Sequence, residues 1–196
     1  EANNGSPPLG PFVQVQVQLW QRELRRIVAD VAEQPELKFY DDLTIQEKRH
    51  HLPVIRCRDC GLMGWATVYN KDKYGDYNCN LKNFYQLFFD QDHRIRYLFP
   101  KGENIFLNRG KHQQTLKLHK YNLQHDSTAE DNNPDYVTVE TGEHHVSIKN
   151  DLKLDRRCPR CEGVETILLV GYQAATLTAT YINQLFSSPF NSDKKL

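Results

Sequence analysis

Several things this sequence has little of narrow what it can be. Methionine occurs once, at Met63, and the first residue is Glu1. A natural reading frame of this length begins with methionine, so the chain is expected to be a piece of a larger protein and need not carry a complete active site. Net charge is missing as well: 25 Lys and Arg balance 25 Asp and Glu. Any contact with nucleic acid must then come from a local basic patch rather than a global field. No apolar run approaches the roughly 18 residues of a membrane span, and "EANNGSPPLGPF" lacks the charged-then-apolar layout of a signal peptide. The expectation is a cytoplasmic chain with no membrane partner. The phosphate-cradling loop ending in Gly-Lys-Ser/Thr, the acidic run that holds Mg²⁺, a serine nucleophile elbow and a His-Glu-x-x-His helix are all absent. The chain by itself is therefore expected not to be an enzyme.

What is present begins with five cysteines. An odd number in a chain well above the size of small disulfide-stapled domains argues against a secreted framework. Four of them form two pairs of identical spacing, Cys57 and Cys60 in "RCRDCG", and Cys158 and Cys161 in "RRCPRCEG". Zn²⁺ takes four soft ligands in a tetrahedron. A Cys-x-x-Cys turn presents two thiolates from one tight loop whose amides can also hydrogen-bond the sulfurs. The glycines at 61 and 163 let the chain curl past the sulfurs, and Pro159 stiffens the second turn. With four protein ligands the zinc would be structural, because no position is left for water or substrate. A redox pair would need one exposed Cys-x-x-Cys between a strand and a helix, a pattern neither pair follows. Cys79 stands alone, and His50, His51, His144 and His145 are the only plausible substitutes for a cysteine.

The remaining pattern predicts one α+β domain over 12–196, preceded by a linker or disordered end over 1–11. It would hold a small antiparallel sheet and about three to four helices around a zinc-ribbon-like four-cysteine site. Residues 12–32 permit two readings, a strand through Val13, Val15 and Val17 or a helix through Val13, Val17, Trp20, Leu24, Ile27, Val28 and Val31. The longer helical series is favoured, ending near Ala32 ahead of Pro35. Thr44 and Glu47 form a capping-box pattern for a second, short helix. Asn80 caps a helix with Leu81, Phe84, Leu87 and Phe88 inward. A last helix carries Ala175, Leu177, Tyr181, Ile182 and Leu185 on its expected buried side. Residues 64–70, 94–99, 115–121, 136–141 and 144–150 read as short strands. Residues 125–135 hold four acids, no Lys or Arg and almost nothing apolar, which predicts an exposed loop. Residues 109–120 carry Arg109, Lys111, Lys117 and Lys120 without an acid, flanked by Tyr97, Phe99, Phe106 and Tyr121. That stretch reads as a backbone-tracking surface for single-stranded nucleic acid, or as a solvated strand face over core aromatics.

The segments "VQVQLWQRELRRIVADV", "HLPVIRCRDCGLMGW", "CPRCEG" and "QAATLTATYINQLFSSPFNSDKKL" resemble the zinc-binding, cysteine-bearing segment between the two RecA-like motor domains of large prokaryotic superfamily 2 DEAD/DEAH-box helicases. The likeness spans both ends and not residues 66–150. It implies an ATP-dependent helicase as the parent protein, with ATP and Mg²⁺ bound outside this chain, the flanking motor domains as partners and nucleic acid as the parent's substrate. The four cysteines carry over as zinc ligands, and no ATP-binding residue carries over. The expected role is a non-catalytic accessory domain that contacts nucleic acid or couples the motor domains. The alternative is a protein-interaction module of a defence or repair complex.

Overall fold

The computed structural model describes residues 24–70, 77–78, 80–102, 114–142, 145–148 and 151–187. Alternating and β-branched stretches supply β1 (Ile27–Asp30), β2 (Leu37–Phe39), β3 (His51–Cys57), β4 (Met63–Tyr69), β5 (Tyr77–Asn78), β6 (Ile95–Pro100), β7 (Gln114–His119), β8 (Tyr136–Thr141), β9 (His145–Ile148), β10 (Asp151–Leu154) and β11 (Ile167–Leu169). Among the described residues there are two α-helices, α1 (Leu81–Phe89) and α2 (Val170–Ser187), and three short 3-10 turns. Nine strands form one sheet in the order β2-β1-β3-β4-β6-β8-β7, with β11 added beside β3 and β5 beside β4, while β9 and β10 form a separate pair. Every pairing is antiparallel. The architecture is α+β, but the sheet is larger than the small one expected, and the α-helices among the described residues are two rather than three to four.

The missing helices have physical causes. The helix expected to reach Ala32 gives way to β1, while its earlier part, 12–23, lies outside the described residues. Val28 and Ala29 are almost fully buried, and β1 sits between β2 and β3 with both edges paired. A helix there would satisfy its own amides and leave the β3 edge open. The capping box forms, with Thr44 N donating to Glu47 Oε2 at 2.8 Å and Glu47 N donating to Thr44 Oγ1 at 3.2 Å. It leads only into the 3-10 turn Glu47–Arg49, whose own cap residue Gln46 makes no side-chain cap hydrogen bond, because the apolar run from His51 onward is drawn into β3. By contrast α1 forms as its pattern predicts: Asn80 Oδ1 accepts from Asn83 N, and Leu81, Phe84, Leu87 and Phe88 are buried.

The central strands bury both faces. Ile55, Ala66, Tyr97 and Phe99 meet Phe84, Leu87 and Phe88 of α1 on one side. Val54, Trp65 and Leu98 meet Leu118, Leu123 and Val139 on the other. Gly64 permits the close approach of β4 and β6, since a Cβ there would run into Leu98 O and lie 2.6 Å from Phe99 Cδ1. The acidic loop 125–135 is largely exposed, as expected. It is held by its own short side chains, with Thr128 N donating to Asp126 Oδ1 and Asp135 N to Asn133 Oδ1. No helix among the described residues is long and apolar enough to cross a membrane.

Candidate metal centre

The sheet and the loop before β11 bring the two cysteine pairs together. Cys57 closes β3, and Cys60 follows in the turn to β4. Cys158 and Cys161 lie between β10 and β11, and β11 is hydrogen-bonded to β3 so that Ile167 faces Cys57 across the ladder. The two turns repeat one backbone pattern. In the first, Cys57 N donates to Leu62 O at 2.8 Å and Gly61 N to Cys57 O at 3.1 Å; in the second, Cys158 N donates to Gly163 O at 3.0 Å and Glu162 N to Cys158 O at 2.9 Å. The left-handed position falls on Gly61 in the first turn, with φ 74°, and on Glu162 in the second, with φ 59°. Gly163 therefore serves a different purpose from the curl expected of it. A Cβ at 163 would sit 2.7 Å from Asp59 Oδ2 and 2.7 Å from Thr166 Cγ2, so its bareness lets the second turn close against the first.

All four sulfurs lie within 4.8 Å of one another, with Cys57 Sγ 3.7 Å from Cys161 Sγ and Cys60 Sγ 3.6 Å from Cys158 Sγ. A disulfide would need about 2.05 Å. Four thiolates about 2.3 Å from a central Zn²⁺ stand about 3.8 Å apart, which these spacings match. Cys57 and Cys158 are buried, Cys60 is half-buried and Cys161 is exposed, so the cluster lies at the rim of the core with one side toward solvent.

Local chemistry also suits thiolate ligands. Burial alone would push the Cys57 thiol up. The N–H groups of Cys60 and Asp59 and the hydroxyl of Thr166 outweigh it and bring the thiol down from the ordinary 9.0 to about 6. Thr166 Oγ1 lies 3.4 Å from Cys57 Sγ and 2.9 Å from Gly163 O, linking one turn to the other. Burial pushes the Cys158 and Cys60 thiols up, although backbone N–H groups oppose it at both. Nothing in the pattern of cysteines pointed to Thr166, which reaches the site only because β11 runs beside β3. Of the arginines flanking the two turns, Arg58 pairs with Asp59 and Arg156 with Glu165. His50 and His51 lie elsewhere, their rings 4.7 Å apart and tilted by 46°, with His51 Nδ1 against Glu47 O. Among the described residues the metal-ligating set is the four cysteines; Cys79 and His144 lie outside them.

The basic stretch is placed only in part, since Arg109 and Lys111 lie outside the described residues. Lys117 on β7 is three-quarters buried and held by the acidic loop, its ammonium 2.8 Å from Asp131 Oδ1 and donating to Ala129 O. Lys120, just past β7, borders a polar hollow of about 600 Å³ with Lys101, Asp131 and Asn132.

Comparison of the chain with protein-family models, with curated proteins and with solved structures returns no match.

Proposed function

We propose that Cys57, Cys60, Cys158 and Cys161 hold one structural zinc ion, and that the domain it ties together is a non-catalytic accessory unit of an ATP-dependent DEAD/DEAH-box helicase. The observation that carries the metal assignment is the convergence of two distant Cys-x-x-Cys turns into one cluster of four sulfurs at zinc spacing. Bound there, zinc would contribute cohesion, tying the end of β3 to the segment that leads into β11. The helicase reading rests on the sequence resemblance of the two ends of the chain. Coupling of motor domains fits that reading better than direct nucleic-acid contact through β7, because Lys117 already has an anionic partner. One observation favours the protein-interaction alternative: α2 leaves Leu177 and Tyr181 71% and 62% exposed.

Metal analysis of the purified chain is expected to give one zinc per molecule, and two disulfides in place of metal would remove the assignment. The chain alone should hydrolyse no ATP, while the longer protein that contains it should do so in response to nucleic acid. A nucleic-acid-independent longer protein, or turnover by the isolated chain, would remove the helicase reading and leave the zinc site standing.

A further inference from the structure

The pattern of α2 predicts Leu177 and Tyr181 on its inner side, and the structure turns both outward. The first turn of α2 is what packs: Gly171 is buried, and a Cβ there would meet the backbone of Leu24 and Arg25. From Thr176 onward the described positions of the helix are mostly exposed. An exposed helix face normally carries charge, yet Val170–Ser187 contains no Asp, Glu, Lys or Arg. Thr176, Thr178 and Thr180 turn their hydroxyls back onto the carbonyls of Tyr172, Ala174 and Thr176, which removes polar groups from the outer surface. Beside this face lies a hollow of about 440 Å³ bordered by Arg56, Phe89, Arg156, Leu168, Tyr172 and Leu177, and no acidic residue lines it. Phe89 is 52% exposed. Arg56 is exposed and has no ion-pair partner among the described residues, whereas Arg156 is already paired with Glu165 at 2.6 Å.

From this we infer that the groove between α1 and α2 docks a protein segment that places a large apolar side chain against Phe89, Tyr172 and Leu177 and a carboxylate against Arg56. The apolar patch supplies the burial. The exposed Arg56 guanidinium selects a planar anion. A nucleic-acid strand fits less well, because it needs positive charge spread along its path and α2 offers none. The inference rests on the protein-interaction reading and is independent of the helicase one.

The test uses randomised twelve-residue peptides displayed against the whole zinc-loaded chain, with the doubly substituted Arg56→Glu, Leu177→Lys chain for counter-selection. Selected peptides should pair Leu, Phe or Trp with Glu or Asp within about one helical turn. Leu177→Lys, at an exposed site, should weaken them about tenfold or more with zinc content unchanged. Arg56→Glu should do the same and regain binding when the peptide's acid is changed to Lys. A selection without this pattern, or binding equal to both proteins within about twofold, overturns the proposal. So does displacement of the selected peptides by an oligo-dT strand, by a synthetic copy of residues 10–23, or by a second copy of the chain, each of which would assign the groove to a different occupant. Loss of zinc from the wild-type chain with peptide binding retained would remove the metal assignment alone.

Discussion

On one face of β3, β4 and β6, two of the four cysteines, Cys57 and Cys158, sit among Ile55, Tyr97 and Phe99. On the other face Val54, Trp65 and Leu98 meet Leu118, Leu123 and Val139, without a thiol anywhere in the cluster. Both faces are deeply buried, but they are cohesive for different reasons. The second is a hydrocarbon core assembled from strands that are neighbours in one antiparallel ladder, β8 pairing with both β6 and β7. The first must hold a loop between β10 and β11 against the far end of β3, and it does so with side chains whose natural partner is a metal. One sheet can thus be apolar on both sides and carry a cluster of metal-ligating side chains on only one of them.

The largest effect expected from this difference comes from the metal side. Cys158→Ser, or removal of zinc by a strong chelator, should abolish the cooperative thermal transition and bring zinc content to zero together, since structural zinc is worth on the order of 10 kcal/mol of coupled folding. Circular dichroism with metal analysis reads both, and a variant that keeps its melting temperature without metal would erase the distinction between the faces. Next in size is Leu118→Ala on the hydrocarbon face. Leu118 is fully buried, so urea unfolding should show a loss of about 2–5 kcal/mol. Zinc should remain at one per chain throughout the native baseline, and early release would show that the faces do not act separately.

A smaller and graded effect is expected from pH. Zinc binding needs thiolates, and the Cys60 and Cys158 thiols are raised by burial, so both must release protons on binding and affinity falls as pH falls. The Cys57 thiol, depressed to about 6, has the usual sign for a lowered group. Its contribution is present above the ordinary thiol range and is lost as pH falls through about 6. Competition with a chromophoric chelator between pH 8 and pH 6 should therefore show log affinity falling by about two or more per pH unit. A flat profile would contradict ligation by these thiols. The smallest effect is expected at the surface, where Asp131→Asn removes the exposed partner of Lys117. Thermal stability should not change measurably. Binding to single-stranded nucleic acid should rise only if β7 faces it, read as a steeper dependence on salt.

Local chemistry written in a few adjacent residues was legible in the sequence. The Cys-x-x-Cys spacings identify the four residues that the structure gathers, because two thiolates from one tight turn is a local geometric fact. The Asn80 cap and the inward positions of α1 follow from hydrogen bonding and periodicity within nine residues. The Thr44 and Glu47 capping box is likewise self-contained, even though the turn it begins stops after one cycle.

What depended on distant partners was not legible. Residues 27–30 have an apolar spacing that suits a helix, yet they become β1 because β2 and β3 offer hydrogen bonds on both edges, and no window of sequence contains those strands together. The outward turn of Leu177 and Tyr181 was hidden for the same reason: the pattern marks an apolar stripe, but only the packing of Gly171 against Leu24 and Arg25 sets which way the helix leaves the core. Lys117 lost its apparent freedom to Asp131, fourteen residues on and in another element. The sequence by itself determined which residues could bind metal, cap a helix or alternate in a strand, since these follow from side-chain chemistry and backbone geometry over a few positions. Only the tertiary structure decided which edges were paired, which apolar stripe stayed exposed and that Thr166 lies beside Cys57, because each of these depends on free energy gained between segments far apart in the chain.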